Sequence, residues 1–212
     1  MNPRAPTAAA VVVLGVVCGL AGCSGDAPAA GPAPRASAAP ALPLPADALT
    51  DLVPAPEEVP AGMVALLTST GKRDVAAVAA YSADPAAAAK ALSEHRFQSA
   101  YVAQYADPNG ARILSVVVSR FADAAGAEAD LTGDLAASSG ELLDLARLGE
   151  VSQARRQALP GGSGGSAGEL LTLRFRQGRT TWLLAYGDQP RADPQVAIAL
   201  GRLLVDRAES TP

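Results

Sequence analysis

Arg174, Arg176 and Arg179 lie close together between Thr172 and Thr181. Arginine forks suit phosphate and carboxylate, so such a cluster is a candidate anion site. Its geometry follows from a predicted hairpin of two strands, 170–176 and 179–186, around Gln177-Gly178. A two-residue loop there pairs 176 with 179, 174 with 181 and 172 with 183. Paired residues share a face of a sheet. The three arginines and two threonines then occupy one face, extended by Arg155 or Arg156. Leu171, Leu173, Phe175, Trp182, Leu184 and Tyr186 occupy the other, which is the expected core. The plainer alternative for the cationic face is a solvated surface whose charges discourage edge pairing.

Other constellations carry less chemistry. Gly161-Gly162-Ser163-Gly164-Gly165 matches G-x-S-x-G in form. A hydrolase elbow needs a strand before it and its histidine after it. Here a strand follows and His95 lies upstream, so a glycine loop is the expectation. His95 falls at a predicted helix end beside Arg96, where an imidazole caps carbonyls or meets solvent. Glu57-Glu58 lies among prolines and reads as exposed loop. Asp107-Pro108-Asn109-Gly110 lacks the rest of a calcium loop and reads as a turn. Glu128, Asp130 and Asp134 read as a wet helix face. Trp182 with Tyr101 and Tyr105 could line a pocket for an apolar ligand, but core packing is the first expectation.

Composition narrows the function further. The chain has 17 Lys+Arg against 21 Asp+Glu, a net charge of −4 and a pI near 5.0. A dedicated nucleic-acid binder would carry a basic footprint. One His and two Cys fall short of the four ligands of an ordinary zinc site. There is no phosphate-cradling loop, dinucleotide motif or paired CxxC, so no cofactor is expected. Apolar content of 49% is too high for a wholly disordered chain.

The amino terminus supplies an address. Arg4 precedes an apolar run from Ala8 to Leu20. A bilayer-crossing helix needs about 20 such residues, so this shorter run reads as a signal-peptide core. It ends in Leu20-Ala21-Gly22-Cys23, which resembles the bacterial lipoprotein lipobox. The resemblance implies a signal peptide over 1–22, removed by cleavage before Cys23. It also implies diacylglyceryl transfer to the Cys23 thiol and acylation of the new terminus. Two or more acyl chains anchor stably where one is marginal. Cys18 lies inside the signal, so the mature chain has no disulfide to lean on. The expected location is the extracytoplasmic face of the cell membrane.

Residues 23–45 are the lipidated Cys and a tether rich in Ala, Pro, Gly and Ser. Such a segment cannot bury enough apolar surface to offset its ordering entropy. Proline-rich chain extends at about 3.1 Å per residue, a reach of roughly 70 Å. All aromatic residues lie beyond it, in a single expected domain over 46–212.

Within that domain, a short helical turn is expected over 47–53 and a strand over 63–67. Asp74 starts one helix and Asp84-Pro85 a second, since Asp caps and Pro suits the first helical position. The period then changes towards two over 98–105. Residues 112–121 are apolar on both faces, the mark of a central strand. Asp123 starts a helix to about Ala137. Residues 141–151 are ambiguous, 152–159 are a candidate strand, and Asp193-Pro194 opens the last helix. Hairpin followed by helix thus occurs twice, over 98–137 and 169–208. The fold class read from this is α+β: an antiparallel sheet with helices packed on one face, with two hairpin–helix halves as a variant.

Lipobox, tether and α+β domain together resemble uncharacterised actinobacterial envelope lipoproteins, a likeness of architecture that carries over no catalytic residue. The function expected is a non-catalytic surface binding or accessory domain, not an enzyme. Its partners would be the membrane, through Cys23, and an envelope protein or anionic polymer met by the arginine face. The alternative is a carrier of a small apolar ligand or lipid, held in a pocket between sheet and helices.

Overall fold

The computed structural model describes residues 47–160 and 167–210. The signal peptide, Cys23, the tether and the 161–165 glycine loop lie outside the described residues. The described residues begin with a 3₁₀ turn, Thr50–Leu52, then short strands β1 (Val64–Ala65) and β2 (Gly71–Arg73). Helices α1 (Val75–Ala79) and α2 (Pro85–Glu94) follow, then β3 (Phe97–Ala106), β4 (Ile113–Phe121) and α3 (Ala124–Ala137). The rest is β5 (Glu141–Leu143), β6 (Val151–Leu159), β7 (Gly168–Gln177), β8 (Thr180–Asp188) and α4 (Pro194–Ser210). No described helix is long and apolar enough to cross a membrane.

The helix starts obey local chemistry. Asp74, Asp84 and Asp123 each accept a hydrogen bond from the backbone N–H three residues on. Each satisfies a donor that the first helical turn leaves orphaned. Helix α2 ends where Arg96 takes φ +58, a left-handed turn that non-glycine residues seldom adopt. Arg96 is held there by its ion pair with Asp123 and by the N–H of Ala122 on its carbonyl, 3.0 Å.

The strands form one antiparallel sheet in the order β1-β3-β4-β8-β7-β6-β5, with β2 also on β3. The α+β class is therefore as read from the sequence, and β4, apolar on both sides, is central. One face is sealed. Tyr101, Val118, Trp182 and Phe175 align in one row across the sheet. Ala103, Val116, Leu184 and Leu173 make the next row, and Tyr105, Leu114, Tyr186 and Leu171 the third. All twelve are buried. Ala197, Leu200 and Leu204 of α4, with Leu49, Leu52 and Val53, complete this core.

The helices do not share that face. Helices α1, α2 and α3 stand over the opposite one, beside Val102, Val117 and Leu183. The placement of helices on one face is thus corrected. An apolar second face needs its own cover, and β4 already signals this through Val117. Hairpin–helix units do recur, as β3-β4-α3 and β7-β8-α4, but their helices lie on opposite faces.

The β7–β8 turn is corrected too. Gln177 pairs with Thr180, and Arg176 with Thr181. The turn residues are Gly178 and Arg179, with Gly178 at φ +55. Hairpin turns favour glycine at their first central position for this reason. The shift moves every pairing by two residues, so each side chain keeps its face. Arg179 alone leaves the sheet, for the exposed turn.

Candidate functional site

The second face of the sheet is built differently from the first. Ser115, Val117, Ser119, Leu183, Ala185 and Thr172 are all only half-buried. Above Ser115, Val117, Ser119 and Leu183, helices α1, α2 and α3 form a canopy that leaves a cleft of about 300 Å³. The canopy side is apolar, with Val78, Ala88, Ala91, Leu92 and Leu131. The floor runs in stripes set by strand register. Val102, Val117, Leu183 and Arg174 form one row. Ala100, Ser119, Thr181 and Arg176 flank it on one side, and Gln104, Ser115, Ala185 and Thr172 on the other. On the same face, in the row of Ala106, Val64 and Ile113 stay 55% and 38% exposed.

Close packing at one corner fixes the canopy. The first turn of α3 meets the end of α2 at Gly126. A Cβ on Gly126 would lie 2.0 Å from the carbonyl oxygen of His95. Only glycine permits this approach.

The same corner gathers the charged groups. His95 Nδ1 lies 3.7 Å from Asp130 Oδ1, beyond hydrogen-bond length. That nitrogen is buried and has no hydrogen-bond partner among the described residues. Burial, reinforced by Asp134 and opposed by Arg174, pushes the Asp130 carboxyl up to about 7. Arg174 donates Nη1 to Asp134 Oδ2, and its buried Nε has no partner. The wet helix face is thereby corrected for Asp130, which is half-buried, while Glu128 and Asp134 are exposed. His95 is half-buried as well, and it faces a carboxylate.

The anion cluster Arg174, Arg176 and Arg179 does not form one open surface. Arg174 and Arg176 are each 7% exposed. Arg176 pairs with Glu150 at 2.6 Å and donates to the Gly178 carbonyl. Arg179 stands apart in the turn. The solvated-face alternative fails with it, because α3 covers Arg174. Arg155 bonds Gln153 and the Gly140 carbonyl, and Arg156 pairs with Glu141 and Glu169.

The aromatic pocket also resolves. Tyr101, Tyr105 and Trp182 are packed in the sealed core. Trp182 stacks on Phe175 at 5.2 Å between centroids. The cleft lies on the other side of the sheet. Glu58 is tied to Arg207 of α4, and Glu57 is exposed. Asp107 to Gly110 is a turn closed by the Gly110 N–H on the Asp107 carbonyl.

Chemically, the cleft offers apolar surface, hydroxyls, one buried guanidinium and an acid beside an imidazole. Ser119 and Thr181 lie on its floor. Asp130 is the residue expected in water that the fold half-buries. One signal was there: at 100° per residue it borders the Ala127–Leu131 stripe of α3.

The sequence matches no family model and no curated protein. Among solved structures, the extracellular domain of PknH from Mycobacterium tuberculosis is similar, with a TM-score of 0.45 and 10% identity over 57% of this chain and 69% of that one.

Proposed function

We propose that the chain is a lipid-anchored envelope domain that binds a small, partly apolar ligand in the cleft between α1–α3 and the sheet. One observation carries the binding reading. The sheet is sealed on one face, yet on the other Val117 and Leu183 remain half-buried beneath a standing canopy. Exposed apolar surface in a concave site is what ligand pockets retain and packed cores remove. The anchor rests on Leu20-Ala21-Gly22-Cys23. The activity is binding and not catalysis. With Arg174 and Arg176 held inside the fold, the cleft replaces the arginine surface as the recognition site.

Mass spectrometry of the full chain, purified from its own envelope, tests both parts. Acyl chains persist under denaturing conditions, whereas a cleft ligand is present only under native ones. A discrete native-only mass, lost in Ala88→Trp, supports the cleft. A mass that survives Ala88→Trp, or none at all, overturns it. Loss of the covalent acyl mass in Cys23→Ala supports the anchor, and an unchanged mass removes it.

A further inference from the structure

We infer that the ligand of this cleft carries an acid group, a carboxylate, sulfonate or phosphate, which Arg174 receives in exchange for Asp134. This rests on the cleft reading and adds the ligand's chemistry to it. The row Val102, Val117, Leu183 and Arg174 crosses four strands. At about 4.8 Å per strand, its apolar part leads to the guanidinium over roughly 14 Å. A molecule lying along the row has its body on apolar side chains and its end on a cation.

The state of Arg174 argues for an incoming acceptor. Its side chain is 9% exposed, and Asp134, its ion-pair partner, is 53% exposed. A guanidinium has five N–H donors in a fixed fork. Arg174 spends Nη1 on Asp134, and its buried Nε donates to nothing among the described residues. A buried cation left short of acceptors is costly. Asp134 can swing into water at little cost, because half of it is there already. A ligand acid would replace it with two parallel bonds, the geometry arginine favours. Thr181, one row along on the neighbouring strand, places a hydroxyl in the cleft at that end of the row.

Near neutral pH, Asp130 does not oppose this as a full charge. Its carboxyl, pushed up to about 7 by burial, is protonated much of the time.

Two fluorescent probes with one aromatic frame separate the ideas. 8-Anilinonaphthalene-1-sulfonate bears an acid, and N-phenyl-1-naphthylamine does not. Titrated into the full chain, the sulfonate should bind at least about tenfold tighter, the worth of one charge-assisted bond. Asp134→Asn should tighten the sulfonate further and leave the neutral probe unchanged. Arg174→Gln should abolish the preference, with a thermal melt to show that it folds. Equal affinities, together with no effect of Asp134→Asn, overturn the acid-group inference and leave the cleft standing. Binding of neither probe, or binding indifferent to Ala88→Trp, overturns the cleft itself.

Discussion

The indole N–H of Trp182 donates to the carbonyl of Leu52 at 2.9 Å, joining residues 130 apart in sequence. It stitches the 3₁₀ turn to the middle of the sheet. Tyr105 donates similarly to the Pro54 carbonyl. The segment 50–54 has little regular structure, so its buried carbonyls depend on these donors. Trp182→Phe keeps an aromatic ring beside Phe175 but strands the Leu52 carbonyl. A buried acceptor left unmade costs about 1–3 kcal/mol, and the lost ring volume adds to it. The expected total is about 3 kcal/mol, read as a lower urea midpoint by circular dichroism. An unchanged midpoint would mean that water replaces the donor.

Much of the fold is legible in short-range chemistry. The Asp–Pro pairs at 84–85 and 193–194, and Asp123, announce helices at their observed starts. The central place of β4 follows from Val116, Val117 and Val118 in succession. What is not legible depends on partners far away. Gly71-Lys72-Arg73 has no strand pattern and is a strand only because the edge of β3 recruits it. Gly178 fits either turn position until the whole pairing is known. Asp130 looks like surface because its cover, the end of α2, lies in another part of the chain. The site was legible in its residue types, with Arg174 and His95 both singled out, but not in their meeting.

The arginines of the hairpin should separate by burial. Arg179, exposed in the turn, has no side-chain bond to lose. Arg179→Gln is expected to change stability by less than about 0.5 kcal/mol. Arg174 and Arg176 are nine-tenths buried, but their acids Asp134 and Glu150 are half exposed. With those acids half in water, the cost of removing a guanidinium stays below that of breaking a fully buried pair. Arg174→Gln and Arg176→Gln are expected to cost about 1–3 kcal/mol each by urea unfolding. Three equal, negligible values would restore the solvated face.

The glycines of α3 make opposite predictions. A Cβ at Gly133 meets nothing within 4 Å. Gly133→Ala gains helix propensity and should stabilise by about 0.5–1 kcal/mol. At Gly126 the added carbon would strike the His95 carbonyl, which is backbone and cannot rotate away. Helix α2 must then shift from α3. Gly126→Ala should cost about 1–3 kcal/mol, the range for overpacking, and should loosen the cleft's closed corner. Thermal melts of the two variants should move in opposite directions. A Gly126→Ala protein as stable as the parent would place α2 further from α3 than described.

Asp130 makes stability fall as pH rises. Its carboxyl has an ordinary value of 3.8 and titrates at about 7 in the fold. Below about pH 4 it is protonated in both states and contributes no difference. Between about 4 and 7 the unfolded chain releases the proton while the folded chain keeps it. The unfolded state then binds fewer protons, so unfolding becomes easier with each step upward. Above about 7 the native carboxyl ionises too, and the penalty is complete. At 1.36 kcal/mol per unit the full effect is on the order of 4 kcal/mol, and the 20% of the side chain still in water trims it to about 3 kcal/mol. Asp130→Asn cannot ionise, so it should match the parent near pH 4 and exceed it at pH 8. Urea midpoints of both proteins at the two values decide the matter. A parent that gains on Asp130→Asn as pH rises would mean the carboxylate is stabilised in the fold by His95 and Arg174, with its titration below the ordinary value.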